Sequence, residues 1–152
     1  MFIRTVDSVW GTQLSNGGVA VRGGRRLLDS HRRGRILVVD DEETIGIGIS
    51  EILKDEGFEA AYVISGLDAV EEVRKKPYKL VFMDIIMPGM NGLEAFREIR
   101  KERPETRVVL FTGYFRDAED VILQGIKEGM IDEFIRKPYF ADEIIKSARK
   151  YA

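Results

Sequence analysis

Cysteine is absent from this chain of 152 residues, and histidine occurs only once. Without cysteine there is no disulfide framework, no thiolate metal site and no thiol nucleophile. One histidine excludes a metal centre built from several imidazole rings. No apolar stretch approaches the roughly 20 residues that a membrane-spanning helix needs, and the first residues lack the apolar core of a signal peptide. These absences predict a cytoplasmic protein without membrane insertion.

The overall composition is that of one ordinary globular domain. Hydrophobic residues make up 44% of the chain and charged residues 33%, which are common values for such domains. A chain of this length can bury a substantial core. The formal net charge of −2 favours neither nucleic acid nor an acidic membrane as an obligatory partner. We therefore expect no direct nucleic-acid binding by this domain.

The composition changes near residue 34. Residues 1–34 contain six arginines and two aspartates, a net charge of +4, which leaves −6 on residues 35–152. The first segment is also rich in glycine and has no sustained helical or strand periodicity. We predict that residues 1–34 form a disordered basic tail and residues 35–152 the folded domain. The basic run 31–35 could contact a phosphate-bearing partner, although a solvated leader is the simpler interpretation.

From Arg35 onward, short apolar runs alternate with amphipathic helical stretches, which predicts βαβ units and a parallel sheet. The runs at about 35–39, 79–83, 107–111 and 132–136 are rich in β-branched and aromatic residues, which predicts that these four strands are buried on both faces. The predicted strands cover about 35–39, 58–63, 79–83, 107–111 and 132–136. The predicted helices cover about 43–56, 67–75, 93–102, 117–128 and 140–151.

Polar residues follow four of these apolar runs, at the point where each run ends. They are the pair Asp40 and Asp41, then Asp84, Thr112 and Lys137. The carboxyl ends of parallel strands lie along one edge of the sheet, where ligands bind at a topological switch point. We therefore expect three carboxylates, one hydroxyl and one ammonium group to meet there.

This set of groups predicts a divalent-metal and phosphoryl site. Clustered carboxylates resist ionisation without a counter-charge, and Mg²⁺ prefers one or two carboxylates together with water and phosphate oxygens. Asp84 is the best candidate nucleophile, since a carboxylate can form an aspartyl phosphate. Lys137 and Thr112 can stabilise the transferring group. A helix N-cap is the alternative interpretation of Asp40-Asp41 taken alone.

The motifs around these residues resemble the receiver domain of bacterial two-component response regulators, a CheY-like family, over about residues 35–152. The resemblance rests on Val38-Val39-Asp40-Asp41, Met83-Asp84, Met87-Pro88-Gly89-Met90-Asn91-Gly92, Thr112-Gly113 and Lys137-Pro138. It implies a flavodoxin-like three-layer αβα sandwich, with a five-stranded parallel sheet of order 2-1-3-4-5.

The resemblance also implies a role for each residue at the metal site. Asp84 would accept a phosphoryl group from the phosphohistidine of a sensor histidine kinase or phosphotransfer protein. Asp41 would bind Mg²⁺ directly, Asp40 would assist mostly through water, and Asp84 and the backbone carbonyl of Ile86 would complete the protein ligands. Such a protein is a phosphoacceptor switch rather than an enzyme.

Further residues would contact the phosphoryl group and change position in response to it. By the resemblance, Thr112 and Lys137 contact it, and Thr112 and Phe134 form the switch. The output surface would be the fourth helix, fifth strand and last helix, about residues 117–150, which would bind a protein target or form a homodimer. The segment from Thr112 to Lys137 is about three residues longer than the family pattern, which predicts a shifted fourth helix.

Two side chains are predicted to set the lifetime of the phosphoryl group. By the resemblance, Ile86 and Tyr114 flank the water that would hydrolyse it. Isoleucine cannot hydrogen-bond this water, and the tyrosine ring is bulky enough to obstruct it. We therefore expect slow dephosphorylation.

Three alternatives stay open on the sequence alone. The first is a free-standing switch that signals through protein contacts, since no output domain follows the last helix in this sequence. The second is a receiver module excised from a longer regulator or hybrid kinase. The third possibility is a hydrolase with an aspartyl-phosphate intermediate. Such enzymes carry a second aspartate two residues after the nucleophile, where this chain has Ile86, so the hydrolase is disfavoured.

Overall fold

The computed structural model of the chain describes residues 33–113, 115–129 and 132–152. Nearly all of the predicted tail and the position of Tyr114 lie outside the described residues. Within them, five strands alternate with five helices, as predicted. The strands are β1 (Arg35–Val39), β2 (Glu59–Val63), β3 (Leu80–Asp84), β4 (Arg107–Thr112) and β5 (Glu133–Arg136). The helices are α1 (Glu43–Asp55), α2 (Gly66–Lys75), α3 (Gly92–Glu102), α4 (Phe115–Lys127) and α5 (Ala141–Tyr151).

The strands form one parallel sheet in the order β2-β1-β3-β4-β5, which confirms the predicted topology. β1 lies between β2 and β3, with Val39 opposite Val63 on one side and Met83 on the other. The order reverses at this point, because the chain moves outward from β1 to β2 and then crosses back to β3. A crevice opens at the carboxyl end of the sheet where the order reverses.

Helices cover both faces of the sheet. Buried residues of α1 and α5, such as Ile49 and Ile144, pack on one face, and those of α2, α3 and α4 pack on the other. β1, β3 and β4 are almost entirely buried between these two layers. Near-continuous apolar runs are expected for strands covered on both faces, so burial accounts for the sequences of these three strands.

The prediction of burial on both faces is wrong for β5. Its burial alternates little: Ile135 is buried, Arg136 is exposed, and Glu133 and Phe134 are half-buried. β5 is an edge strand of four residues that pairs with one neighbour, β4. An edge strand has one side open to solvent, which the short run Glu133–Arg136 did not reveal.

Local interactions fix the start of α3 and the end of α1. Asn91 begins α3 with a capping box, in which its side chain accepts from the Glu94 backbone N–H and Glu94 accepts from the Asn91 N–H. This reciprocal pairing fixes the first turn of the helix and ends the loop that follows β3. Gly57, at φ 88°, follows α1 in the left-handed conformation that favours glycine. No helix in the described ranges is long and apolar enough to cross a membrane.

Candidate functional site

Three carboxylates meet at the carboxyl end of β1 and β3, as the sequence predicted. One carboxylate oxygen from each of Asp40, Asp41 and Asp84 lies within 4.8 Å of the others. Asp40 follows β1 directly and Asp84 is the last residue of β3, so the pairing of these strands brings them together. Asp40 is fully buried, Asp84 is 7% exposed and Asp41 is exposed. The cluster therefore combines two buried carboxylates, Asp40 and Asp84, with one that is accessible to solvent, Asp41.

Lys137 supplies the only cation paired with these carboxylates in the described part of the chain. Its Nζ lies 3.0 Å from Asp40 Oδ2 and 3.5 Å from Asp84 Oδ2. The same Nζ sits 5.0 Å from the centre of the Phe111 ring, a favourable cation–π arrangement. The Lys137 backbone N–H donates to the Thr112 carbonyl at 2.9 Å, which fixes where the lysine leaves the sheet.

The pKa values of the site reflect this crowding. Burial raises the pKa of Asp84 to about 6, against the opposing charge of Lys137 and with the help of the Asp40 charge. Burial would lower the pKa of Lys137, but hydrogen bonding to Asp40 and the charges of Asp84 and Asp40 outweigh it and raise this pKa. Two aspartates in contact with one lysine thus leave excess negative charge, which Asp41 increases.

The raised pKa of Asp84 predicts how stability depends on pH in the absence of metal. A carboxyl group with a raised folded-state pKa stabilises the fold when protonated, and this contribution is lost as pH rises. For Asp84 the loss falls between the ordinary 3.8 and about 6, and it corresponds to roughly 3 kcal/mol. We expect Asp84→Asn to stabilise the metal-free protein by up to this amount at pH 7, and by little at pH 4.

Denaturant unfolding in the presence of a chelator measures this difference. Asp120→Asn is the matched control, because Asp120 is an exposed carboxylate in α4, away from the cluster. Its effect should be small at both pH values. An Asp84→Asn protein that is less stable than wild type at pH 7 would contradict the electrostatic description of the site.

The two predicted switch residues lie on β4 and β5. Thr112 is fully buried and ends β4, one residue beyond Phe111, the register partner of Asp84. Phe134 on β5 is half-buried and lies opposite Leu110, two residues before Thr112. Side chains two residues apart on a strand share a face, so Thr112 and Phe134 lie on the face that α4 covers. Phe134 packs against that part of the core.

The cluster opens into a cleft of about 990 Å³. The loop after β3 forms one wall, where Ile86 is 38% exposed beside Asp84 and Met87 is buried in the core. Met87 therefore anchors the loop, while Ile86 lines the cleft. Tyr114, the other residue predicted to affect dephosphorylation, lies outside the described residues.

Sequence reasoning assigned no role in the site to three residues that contribute to it, although Gly92 belongs to the motif that carries the resemblance. Tyr139 lines the cleft, and its ring packs edge-on against Phe111 with centroids 6.0 Å apart. The Glu42 backbone N–H donates to Asp40 Oδ1 at 2.9 Å and orients that carboxylate. Gly92 packs closely against the backbone of Asp84. Only their nearness in sequence to Asp41, Lys137 or the loop after β3 could have indicated them.

The residues present fit a hard divalent cation. Carboxylate oxygens are the preferred ligands of Mg²⁺, and three carboxylates against one ammonium leave the charge that such an ion would neutralise. Asp40 is engaged by Lys137 and Glu42. Asp41 and Asp84, which both line the cleft, are therefore the carboxylates that can face an ion.

Comparison with known proteins agrees with this fold. Residues 36–149 match the family model of the response regulator receiver domain, so the chain belongs to this family. The DNA-binding response regulator MtrA of Mycolicibacterium paratuberculosis is 35% identical over 117 residues, which are 77% of this chain and 50% of that protein. The sensory transduction protein RegX3 of Mycolicibacterium smegmatis is 33% identical over 75% of this chain and 48% of its own length. The chain spans about half the length of these curated relatives.

Solved receiver domains have the same architecture. The receiver domain of NtrX from Brucella abortus is 35% identical, with a TM-score of 0.67 over 76% of this chain and 95% of that one. A CheY-like receiver domain protein from Methanospirillum hungatei is 26% identical, with a TM-score of 0.70 over 77% of this chain and 91% of that one. These likenesses confirm the predicted fold and family.

Proposed function

We propose that the chain is a phosphorylation-dependent signalling switch whose phosphoacceptor is Asp84. The observation that carries this proposal is the position of Asp84. It lies in an open cleft, within 4.8 Å of two further carboxylates and 3.5 Å from the Lys137 ammonium. A nucleophile with a cation beside it and room for a second cation meets the requirements of phosphoryl transfer.

The transfer itself needs little from the protein besides position and charge. An Asp84 carboxylate oxygen attacks phosphorus and forms a P–O bond, while the bond from phosphorus to the donor nitrogen or oxygen breaks and its electron pair leaves with the donor. Lys137 stabilises negative charge on the phosphoryl oxygens, and Thr112 donates a hydrogen bond to one of them. Mg²⁺, held by Asp41, Asp84 and the Ile86 carbonyl with Asp40 assisting, would supply further charge neutralisation.

The phosphodonor in this proposal is a sensor histidine kinase or a phosphotransfer protein. The cleft supports it, because its rim combines apolar and polar side chains around the acceptor, including Ile45, Ile86, Pro88 and Tyr139. A binding site of this kind can position a protein-borne phosphohistidine while its polar groups orient the phosphorus. In keeping with a cytoplasmic kinase domain as donor, we propose a cytoplasmic location and no membrane insertion.

The output surface in this proposal is formed by α4, β5 and α5. Phosphorylation would draw Thr112 toward the site and let Phe134 pack further inward, so the two residues would move between discrete packed positions. β5 lies at the edge of the sheet, and α4 exposes Leu123 (54%) and Ile126 (60%). Exposed apolar side chains next to an edge strand favour a protein target or a homodimer at this surface.

Intact mass and product release from small phosphoesters together separate the switch from the disfavoured hydrolase. Wild-type protein incubated with acetyl phosphate and Mg²⁺ should gain one phosphoryl group in its intact mass. Within the lifetime of the adduct, the same protein should release no more than one equivalent of product from small phosphoesters, because Ile86 occupies the place of the acid/base aspartate. Catalytic turnover of a phosphoester would contradict the switch.

The lifetime of the phosphoryl group should be long. Ile86 lies beside Asp84 and cannot hydrogen-bond an attacking water, and orientation of the nucleophile is a large part of such catalysis. We expect decay over minutes to hours in wild type and several-fold faster decay in Ile86→Asn. Loss of the adduct mass after removal of the phosphodonor measures both rates.

Ile64→Asn is the matched control, because Ile64 is a similarly exposed isoleucine (46%) that does not line the cleft. Its decay rate should equal that of wild type. Tyr114→Glu tests the second predicted position in the same way. Decay of wild type within seconds, or no acceleration by either Ile86→Asn or Tyr114→Glu, would refute this prediction.

A further inference from the structure

Gly92 makes a backbone contact that no other residue type could make in this arrangement. A Cβ atom at Gly92 would lie 2.5 Å from the Asp84 carbonyl oxygen and 2.9 Å from the Ile85 Cα. Both are backbone atoms, so they cannot move aside by a side-chain rotation. Any larger residue at position 92 must therefore widen the gap between the start of α3 and the end of β3.

The contact lies at the end of β3, the strand whose last residue is the proposed phosphoacceptor Asp84. The Gly92 N–H donates to the Ile85 carbonyl at 2.8 Å, and the Ile85 N–H donates to the Phe111 carbonyl at 3.1 Å. The segment from Asp84 to Ile85 is thus held between α3 on one side and β4 on the other. Because Ile85 is also fully buried, a push from Gly92 falls on the backbone that carries Asp84 and Ile86.

The start of α3 cannot easily unwind to relieve the push. Asn91 and Glu94 form the capping box described above, and Leu93 and Phe96 are buried in the core immediately after Gly92. Packed side chains and a satisfied cap resist displacement of the first turn. The loop between β3 and α3 has more freedom, since its residues Ile86, Pro88 and Gly89 are exposed. The loop is therefore the part that would move.

We propose that Gly92 is a positioning residue for the cation site, which acts by fixing the Asp84 backbone and the loop that carries Ile86. This inference rests on the proposed function, because it assigns the Asp84 carboxylate and the Ile86 carbonyl to the same Mg²⁺ ion. Ligand positions must be held within fractions of an ångström. A bulkier residue at position 92 would separate the two ligands while the sheet and the helices stay folded.

Binding of Mg²⁺ alone to the full chain tests this inference. We compare wild type, Gly92→Ala, Gly48→Ala and Asn91→Ala by following amide chemical shifts during titration with Mg²⁺. A Cβ atom at Gly48 would meet no neighbouring group within 4 Å, and Asn91→Ala weakens the same helix start without adding a clash. We expect Gly92→Ala to give a dispersed spectrum of a folded protein and at least about tenfold weaker Mg²⁺ binding. Both controls should bind like wild type.

The outcomes separate the inference from the proposed function. Equal Mg²⁺ affinity in Gly92→Ala and wild type would overturn the inference and leave the switch intact. A Gly92→Ala protein that is unfolded would also overturn it, since the inference requires a local shift in a folded chain. If Asn91→Ala weakens Mg²⁺ binding as much as Gly92→Ala does, the loss of helix stability explains both results. That outcome would also overturn the inference. A wild type that binds no Mg²⁺ would overturn the inference together with the proposed metal site.

Discussion

Replacing Asp84 with asparagine should abolish the phosphoryl adduct that wild-type protein gains from acetyl phosphate and Mg²⁺. The amide keeps the size and shape of the side chain but lacks the anionic oxygen that attacks phosphorus. No other carboxylate of the cluster replaces it, because Asp40 is fully buried and bound to Lys137, while Asp41 is needed for the cation. Intact mass measured over a time course in both proteins gives the result directly.

Asp84→Asn has a control in the exposed carboxylate Asp120. Asp120 lies on α4, outside the cleft. The Asp120→Asn protein should therefore be phosphorylated at the wild-type rate. Fragmentation of the wild-type adduct should place the added mass on the segment that contains Asp84. An Asp84→Asn protein that still gains the same mass under these conditions would show that the acceptor lies elsewhere.

Asp41→Ala should lose Mg²⁺ binding and phosphorylation while it stays stably folded. Asp41 is exposed at the mouth of the cleft, so its removal costs little packing. Changes to groups behind the ligands of a metal commonly weaken binding about 10–100-fold, and loss of a direct ligand should exceed about 100-fold. Titration with Mg²⁺ and the rate of adduct formation measure the two effects separately.

Asp40→Ala is the informative comparison, because it should lower stability more than Asp41→Ala does and Mg²⁺ affinity less. Asp40 is fully buried, bonds Lys137 at 3.0 Å and accepts from the Glu42 N–H. Its removal leaves a largely buried ammonium with weaker compensation, which should cost roughly 3 kcal/mol of stability. Its effect on Mg²⁺ affinity should be milder than that of Asp41→Ala. Unchanged Mg²⁺ affinity in Asp41→Ala would place the metal outside the cluster.

The fold and the main site residues could be predicted because parallel strands impose a simple rule. Short apolar runs identified the strands, and their carboxyl ends share one edge, so Asp40, Asp84, Thr112 and Lys137 were expected near one another from the sequence. The strand order came from the family resemblance rather than from the runs themselves. Periodicity does not encode which strands are neighbours, and order 2-1-3-4-5 is one of several that the same alternation allows.

Other features depend on contacts between distant backbone segments and leave no local pattern. The closeness of Gly92 to the Asp84 carbonyl arises only when α3 docks beside β3. The edge position of β5 depends on the sheet order, so Glu133–Arg136 looked like a buried strand although it has an open side. Tyr139 enters the cleft because its ring packs on Phe111 of another strand. Sequence alone indicates residue types and spacing, and three-dimensional packing decides these contacts.

Amide hydrogen exchange of wild-type protein, with and without the phosphoryl group, tests the central claim most directly. The switch predicts that phosphorylation of Asp84 changes exchange in two places, around the cleft and across α4, β5 and α5, with Phe134 at the junction. Asp84→Asn treated in the same way should change in neither place. A phosphorylated wild type whose exchange changes only around α1 would contradict the account, because the signal would not reach the surface assigned to output.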